Sequence, residues 1–230
     1  IDTGGANRPA DQAKEMAEFI PHVLTGTSYG MTETNALGIA IRGKEYLENP
    51  GVTGRLIAPI AEMRIVDEFD VDVAVGEVGE LVLKSAANMR CYLNKDIETS
   101  EVLKNGWLYT GDLAKIDENE LITLVDRKKN IIIRGGENIS AQEVQTAILE
   151  HANVVEAAIF SLPNERLGEI VGACVYCRKT SNESEGSLRD FLKSSLAAYK
   201  IPEYIWIKNK PLPRVASEKI DVEALKKEYS

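Results

Sequence analysis

Apolar positions recur at helical spacing in some stretches of the chain and cluster in short extended runs in others. Residues 11–20 place Ala13, Met16, Ala17 and Ile20 three and four apart, which predicts a short amphipathic helix. From residue 23 the pattern changes to extended runs at 23–28, 55–59, 62–67 and 80–84, separated by Gly, Pro and charged residues. Short strands with turns between them predict a small β-barrel or sandwich. Residues 71–76 are apolar but interrupted by charge and read as a hairpin tip; residues 96–104 read as a helix leading into a Gly106-Trp107 turn.

Tyr109-Thr110-Gly111-Asp112 then sets a carboxylate after a glycine, where an aromatic strand should give way to a turn. Such a carboxylate can accept hydrogen bonds from two vicinal hydroxyls. A polar turn at 117–120, an apolar run at 121–125, the charged Asp126-Arg127-Lys128-Lys129-Asn130, a run at 131–133 and Gly135-Gly136 follow. That order reads as strand, charged break, strand, glycine turn.

Past residue 129 the character becomes that of a compact α/β module. Ser140-Ala141-Gln142-Glu143 is a capping-box sequence, and Ala141, Val144, Ala147 and Ile148 fall on one helix face. Strands are predicted at 154–160, 170–177 and 205–207, and a polar loop at 180–186. A second helix starts at Ser187 with Leu188, Phe191, Leu192 and Leu196 as its stripe, and Asp221 caps a last helix through Val222 and Leu225. Two helices against a small sheet, over about a hundred residues, make an independently folding unit. The expected class is α+β, with a β-rich domain over residues 1–128 and a small α/β domain, a mixed sheet with flanking helices, over 129–230.

With 230 residues either one large or two modest domains can bury a core. The formal charge of −9 argues against a nucleic-acid or anionic-membrane partner, since these select basic surfaces, and leaves a small anionic ligand open. No apolar run approaches the roughly 20 residues of a membrane span, and no signal-peptide pattern opens the sequence, so a cytoplasmic protein is expected. Cys174 and Cys177 have redox or zinc-pair spacing but lie in a strand pattern, where positions three apart face opposite ways; with Cys91 they make an odd count and no disulfide framework. His22 and His151 are too few for a metal site or a Ser-His pair. The first residues carry neither an initiator Met nor a capping signal, and the expectation is a piece cut from a longer protein.

Four motifs stand in order along the chain: Tyr29-Gly30-Met31-Thr32-Glu33; Tyr109-Thr110-Gly111-Asp112; Asp126-Arg127-Lys128-Lys129 with Gly135-Gly136-Glu137-Asn138; and Pro213-Arg214-Val215-Ala216-Ser217-Glu218-Lys219-Ile220. In these the sequence resembles the adenylate-forming superfamily of acyl-CoA synthetases, luciferases and peptide-synthetase adenylation domains, most of all its fatty-acid and aromatic-acid CoA ligases. The resemblance implies that residues 1–128 are the closing part of a large AMP-binding domain and 129–230 its mobile C-terminal domain. It implies an enzyme that activates a carboxylic acid with ATP to acyl-AMP and passes the acyl group to coenzyme A, with Mg²⁺.

Site roles follow from the same resemblance. Gly4, Gly5 and Ala6 would lie along adenine, although alone they read as a glycine turn. Tyr29 would stack on the base beside Gly30, Thr32 touch the α-phosphate, and Glu33 help hold Mg²⁺; a hard cation wants carboxylate oxygen, yet Thr32-Glu33 taken alone is an ordinary exposed pair. Asp112 and Arg127 would bind the ribose hydroxyls, the alternative for Arg127 being a surface ion pair with its charged neighbours. Lys129 would be the hinge, and Gly135, Gly136 and Glu137 would face the pantetheine of CoA, where a plain tight turn is the other reading. Lys219 would be the catalytic lysine of adenylation.

Two departures stand out. Glu218 occupies a position where the family usually has glycine, and nothing in the chain resembles the family's phosphate loop or most of its acyl pocket. The chain alone is therefore expected to be inactive. The alternatives are an adenylation enzyme that loads a carrier protein, a luciferase-like oxidase, and a noncatalytic nucleotide-binding module.

Overall fold

The extended runs of the first half form two sheets and those of the second half a third. The computed structural model describes residues 2–3, 10–36, 38–59, 61–178 and 183–229. It divides into two units, Ile1–Lys128 and Lys129–Ser230.

In chain order the first unit contains β1 (Asp2–Thr3), α1 (Ala10–Phe19), β2 (Gly26–Tyr29), β3 (Ile39–Arg42), α2 (Gly43–Glu48), β4 (Arg55–Leu56), β5 (Ala61–Val66), β6 (Gly79–Ser85), α3 (Asp96–Val102), β7 (Leu103–Lys104), β8 (Trp107–Ile116) and β9 (Ile122–Arg127). One sheet runs β1-β2-β3-β4; the other runs β5-β6-β8-β7, with β9 also on β8. Among the described residues this second ladder ends at β5 on one side and at β7 and β9 on the other. Gly54, just before β4, bridges to Ile122 of β9, and Ile39 of the first sheet shares a core with Ile65, Leu81 and Leu83 of the second, in keeping with the small barrel or sandwich that the short runs predict. Ile39, Ile65, Leu81, Leu83, Ala114 and Ile122 pack into the core between the strands.

Two local corrections shape the site. The helix predicted over 96–104 stops at Val102, because Asn105 and Gly106 both take left-handed angles (φ 53° and 84°) and pair Lys104 with Trp107 in a two-residue hairpin. Nor does β8 end at Gly111. It continues to Ile116, and since Tyr109 pairs with Val82 and Leu113 with Glu80, three residues, Thr110, Gly111 and Asp112, stand against the single Leu81. Gly111 makes this bulge possible with φ 70°.

The second unit contains β10 (Ile131–Arg134), β11 (Glu137–Ser140), α4 (Ala141–Leu149), β12 (Val154–Asn164), β13 (Gly168–Cys177), α5 (Glu185–Leu192), β14 (Tyr204–Lys208) and α6 (Val222–Tyr229). Its sheet is mixed: β11-β10-β13-β12 is antiparallel, and β14 adds parallel to β13. Val144, Ala147, Ile148, Leu188 and Leu192 bring α4 and α5 onto one face, while Leu225 brings α6 onto the other. All three helices that the pattern places in this half are present. Cys174 belongs to one of these cores and Cys177 to the other, as period-two alternation requires.

Gly135 and Gly136 (φ 60° and 90°) turn β10 back into β11, a strand whose Glu137-Asn138-Ile139-Ser140 carries no alternation to announce it. Ser140 Oγ accepts the Glu143 N–H at 3.0 Å, but the Glu143 carboxylate pairs with Lys200 at 2.6 Å and does not close the predicted box. The capping box lies instead at Ser184 and Ser187, so α5 begins two residues before the predicted Ser187. Leu196 falls beyond the helix yet stays buried in the same core. Asp221 Oδ1 accepts the Ala224 N–H at 2.9 Å and starts α6. Among the described residues no helix is long and apolar enough to cross a membrane.

Candidate functional site

The bulge in β8 presents a carboxylate. Thr110 Oγ donates to the Leu81 carbonyl at 2.7 Å and accepts the Asp112 N–H at 3.1 Å, while the Gly111 N–H reaches Glu80 Oε1 at 3.1 Å. Glu80 also takes the Lys128 ammonium at 3.0 Å, so one side chain of β6 ties down the bulge and the end of β9.

Asp112 is 5% exposed. Its Oδ2 accepts the Tyr29 hydroxyl at 2.6 Å and its Oδ1 faces Arg127 Nε at 3.0 Å. Arg127 is the residue opposite Asp112 in the β8–β9 register, which explains why the guanidinium arrives there. A carboxylate has about four acceptor positions, and these two contacts take one on each oxygen. Among the described residues that leaves one acceptor position per oxygen, the pattern that two adjacent hydroxyls can use. Burial and then the Asp112 contact hold the Tyr29 phenol far above its ordinary value, so it is a fixed proton donor.

Gly30 follows Tyr29 and is required by space: a Cβ there would meet the Ala36 carbonyl oxygen at 2.4 Å. The loop closes on itself through the Ala36 N–H to the Met31 carbonyl at 2.9 Å, with Asn35 and Ala36 both left-handed. On the 3-10 turn Thr32–Thr34, Thr32 is exposed and Glu33 half-buried. Glu33 Oε1 accepts the Tyr92 hydroxyl at 2.8 Å, and burial, then this contact, pushes the Tyr92 phenol up to about 12. Among the described residues no group of three or more His, Cys, Asp or Glu could enclose a metal ion. A single carboxylate with one oxygen engaged by a phenol fits a Mg²⁺ that keeps its waters and binds phosphates, and does not fit an all-protein cage.

Gly4, Gly5 and Ala6 lie outside the described residues. The second unit carries the remaining motif residues. Lys129 is exposed in the single 3-10 turn Lys128–Asn130, and Gly135, Gly136 and Glu137 form the β10–β11 turn. Lys219 is exposed on a tight hairpin in which the Val215 N–H reaches the Lys219 carbonyl at 2.9 Å and the Glu218 N–H the Val215 carbonyl at 2.9 Å. Glu218 takes φ 64°, the left-handed region where glycine is at ease. The glycine expected at that position therefore answers a backbone need.

Three residues escape the sequence reading: Glu80, Tyr92 and Glu156. Glu80 had a signal, a charge heading the apolar Leu81-Val82-Leu83, whereas Tyr92 has none, because its partner Glu33 is 59 positions away.

The chain is similar to known proteins over most of its length. Residues 1–93 match the AMP-binding enzyme family and residues 143–219 the AMP-binding enzyme C-terminal domain. A 2-succinylbenzoate–CoA ligase of Geobacillus kaustophilus is 35% identical over 194 residues, which cover 84% of this chain and 39% of that protein. A long-chain-fatty-acid–CoA ligase of Salmonella typhimurium is 34% identical over 177 residues, 77% of this chain and 31% of that protein. The solved structure of o-succinylbenzoate coenzyme A synthetase from Bacillus subtilis with ATP and magnesium superposes with a TM-score of 0.88 at 31% identity, over 99% of this chain and 46% of that one. The chain thus spans less than half the length of each.

Proposed function

Since the chain belongs to the AMP-binding enzyme family, we propose that this protein is an acid:CoA ligase. An oxygen of the carboxylic acid attacks the α-phosphorus of ATP, the bond to pyrophosphate breaks, and acyl-AMP forms. The CoA thiol then attacks the acyl carbon, loses its proton, and AMP leaves with the bonding electron pair. Support comes from the two curated relatives, both named as CoA ligases.

One observation carries the reading: Asp112, buried on a bulge and held by Tyr29 and Arg127, keeps one acceptor position on each oxygen. In this proposal those positions take the two ribose hydroxyls, and Arg127 adds a charge-assisted contact. Tyr29 and Gly30, with Gly4, Gly5 and Ala6, border the adenine, and Thr32 meets the α-phosphate. Glu33 supplies a carboxylate oxygen to Mg²⁺, which when bound offsets phosphate charge. The Lys219 ammonium stabilises negative charge as it builds at the α-phosphorus. Lys129 is the hinge between residues 1–128, the closing part of the AMP-binding domain, and the mobile 129–230. Gly135, Gly136 and Glu137 border the pantetheine.

The test is calorimetry with AMP, followed by acid-dependent ATP–pyrophosphate exchange and CoA-dependent thioester formation. Asp112→Asn should weaken AMP binding by about tenfold or more, the loss of one charge-assisted hydrogen bond. Equal AMP affinity in the wild type and Asp112→Asn would remove the ribose role. If the full-length protein that carries these residues binds AMP but exchanges pyrophosphate with no acid, it is not a ligase.

A further inference from the structure

We propose that Glu156 is a positioning residue for Lys219, holding the hairpin that carries the lysine against the sheet. The inference rests on the adenylation role given to Lys219. It starts from a charge out of place. On β12, Ala158, Phe160 and Leu162 belong to the core covered by α6, and period-two alternation puts Glu156 at the head of that apolar row. A register shift between Val154 and Glu156 lets Val154 turn to the opposite core, so the carboxylate keeps the α6 face. Its side chain is only 13% exposed.

A carboxylate there needs partners, and both come from the segment that leads to Lys219. Oε2 accepts the Leu212 N–H at 2.7 Å, and Oε1 pairs with Arg214 Nη2. The same guanidinium donates from Nη1 to the Glu218 carbonyl, one residue before Lys219. One arginine therefore spans from the sheet to the lysine's neighbour. The other anchors of this segment are apolar, Leu212 at its start and Ile220 and Val222 after the lysine. Residues 215–219 are all exposed and bury nothing that could fix them. Within the tip, the Val215, Glu218 and Asp221 N–H bonds shape the hairpin, and the bridge of Arg214 to Ile220 closes it. These contacts fix the shape of the loop; the Glu156–Arg214 link fixes its orientation on the sheet. An ammonium acting on a developing charge is sensitive to that orientation, since a displacement of about 1 Å can cost about a hundredfold in rate.

In the full-length protein that carries this chain, the experiment compares the wild type with Glu156→Gln, Lys219→Ala and the double variant, with Glu156→Ala as the stronger lesion. Glu156→Gln should keep a single cooperative unfolding transition, and hydrogen exchange at the Val215 and Glu218 amides should quicken by about tenfold or more. Its kcat for acyl-adenylate formation should fall roughly ten- to a hundredfold, with KM for ATP within about twofold. Thioester formation from supplied acyl-adenylate should not change. On the Lys219→Ala background the further loss should vanish, because a residue acting through the lysine has nothing left to position. Unchanged amide exchange, or losses that add fully with Lys219→Ala, would overturn the proposal. If the wild type adenylates no acid, the ligase reading falls instead, and the amide exchange alone decides whether Glu156 holds the hairpin.

Discussion

Tyr29 and Asp112, 83 positions apart, are joined by a 2.6 Å hydrogen bond from the phenol to the buried carboxylate. The bond ties the segment before the Gly30 turn to the β8 bulge, so the two motifs form one piece of geometry. The phenol stays protonated far above its ordinary range and so donates to Asp112 without competing for a proton. Tyr29→Phe keeps the ring and removes the donor; unit stability should fall by about 1 kcal/mol. Arg127 has a side chain 53% exposed, and Arg127→Ala should cost less than about 1 kcal/mol in stability while weakening AMP about tenfold. Denaturant unfolding and calorimetry on the two variants separate these effects. If Arg127→Ala leaves AMP affinity unchanged, that residue is only a surface ion pair.

Tyr92 gives the protein a defined alkaline sensitivity. Burial and the Glu33 contact raise its pKa from the ordinary 10.0 to about 12. Because the folded value is the higher, the unfolded chain releases this proton first; the contribution to stability is whole below pH 10 and is lost as pH rises to about 12. Tyr29 is shifted in the same direction, so the difference between the wild type and Tyr92→Phe isolates Tyr92. The stability gap between them should be constant up to pH 10 and close above it. A gap that widens across that window would mean the phenol is not held protonated by Glu33.

Glu218 in the left-handed region is a cost that glycine removes, typically about 1 to 2 kcal/mol for a residue with a Cβ. Glu218→Gly should therefore raise the unfolding midpoint and leave adenylation unchanged or faster. Lys219→Ala should leave stability within about 0.5 kcal/mol, as for an exposed side chain, and cut adenylation by orders of magnitude while sparing thioester formation from supplied acyl-adenylate. Equal losses in both half-reactions would make Lys219 structural.

How far the sequence could be read depended on the range of the interaction. Ala141, Val144, Ala147 and Ile148 are buried on one face of α4, and Cys174 and Cys177 diverge, because side-chain period alone decides both. Gly111 reads as a turn from sequence, since a glycine with positive φ serves a turn or a bulge and only the pairing of β6 against β8 separates them. Short strands with turns between them announce a barrel or sandwich, but which sheet each strand joins depends on long-range pairing such as that of Gly54 with Ile122. Asp112, Arg127 and Lys219 were visible through motifs, but the residues that hold them were not. Glu80 and Glu156 act on partners 31 and 58 positions away, so a charge beside an apolar run can flag them but cannot name what they hold.

The remaining expectation concerns the link at Lys129, where the two units divide. Lys129 is exposed and belongs to no core, so a backbone restriction there should act on the link and not on either fold. Proline at 129 fixes its own φ near −65° and pushes Lys128 away from helical angles, so two consecutive residues lose their freedom. Hinges absorb large changes in a few such residues at element ends. In the full-length protein, if the pose that proline freezes is the adenylating one, Lys129→Pro should preserve adenylation and lower thioester formation by more than about tenfold, the rate of a step that needs the second pose. Lys129→Ala removes the charge, leaves the backbone free, and should stay within about twofold of the wild type in both half-reactions. Single-turnover rates of the two half-reactions in the three proteins make the measurement. If Lys129→Pro forms thioester at the wild-type rate, residues 129–230 do not turn about this position.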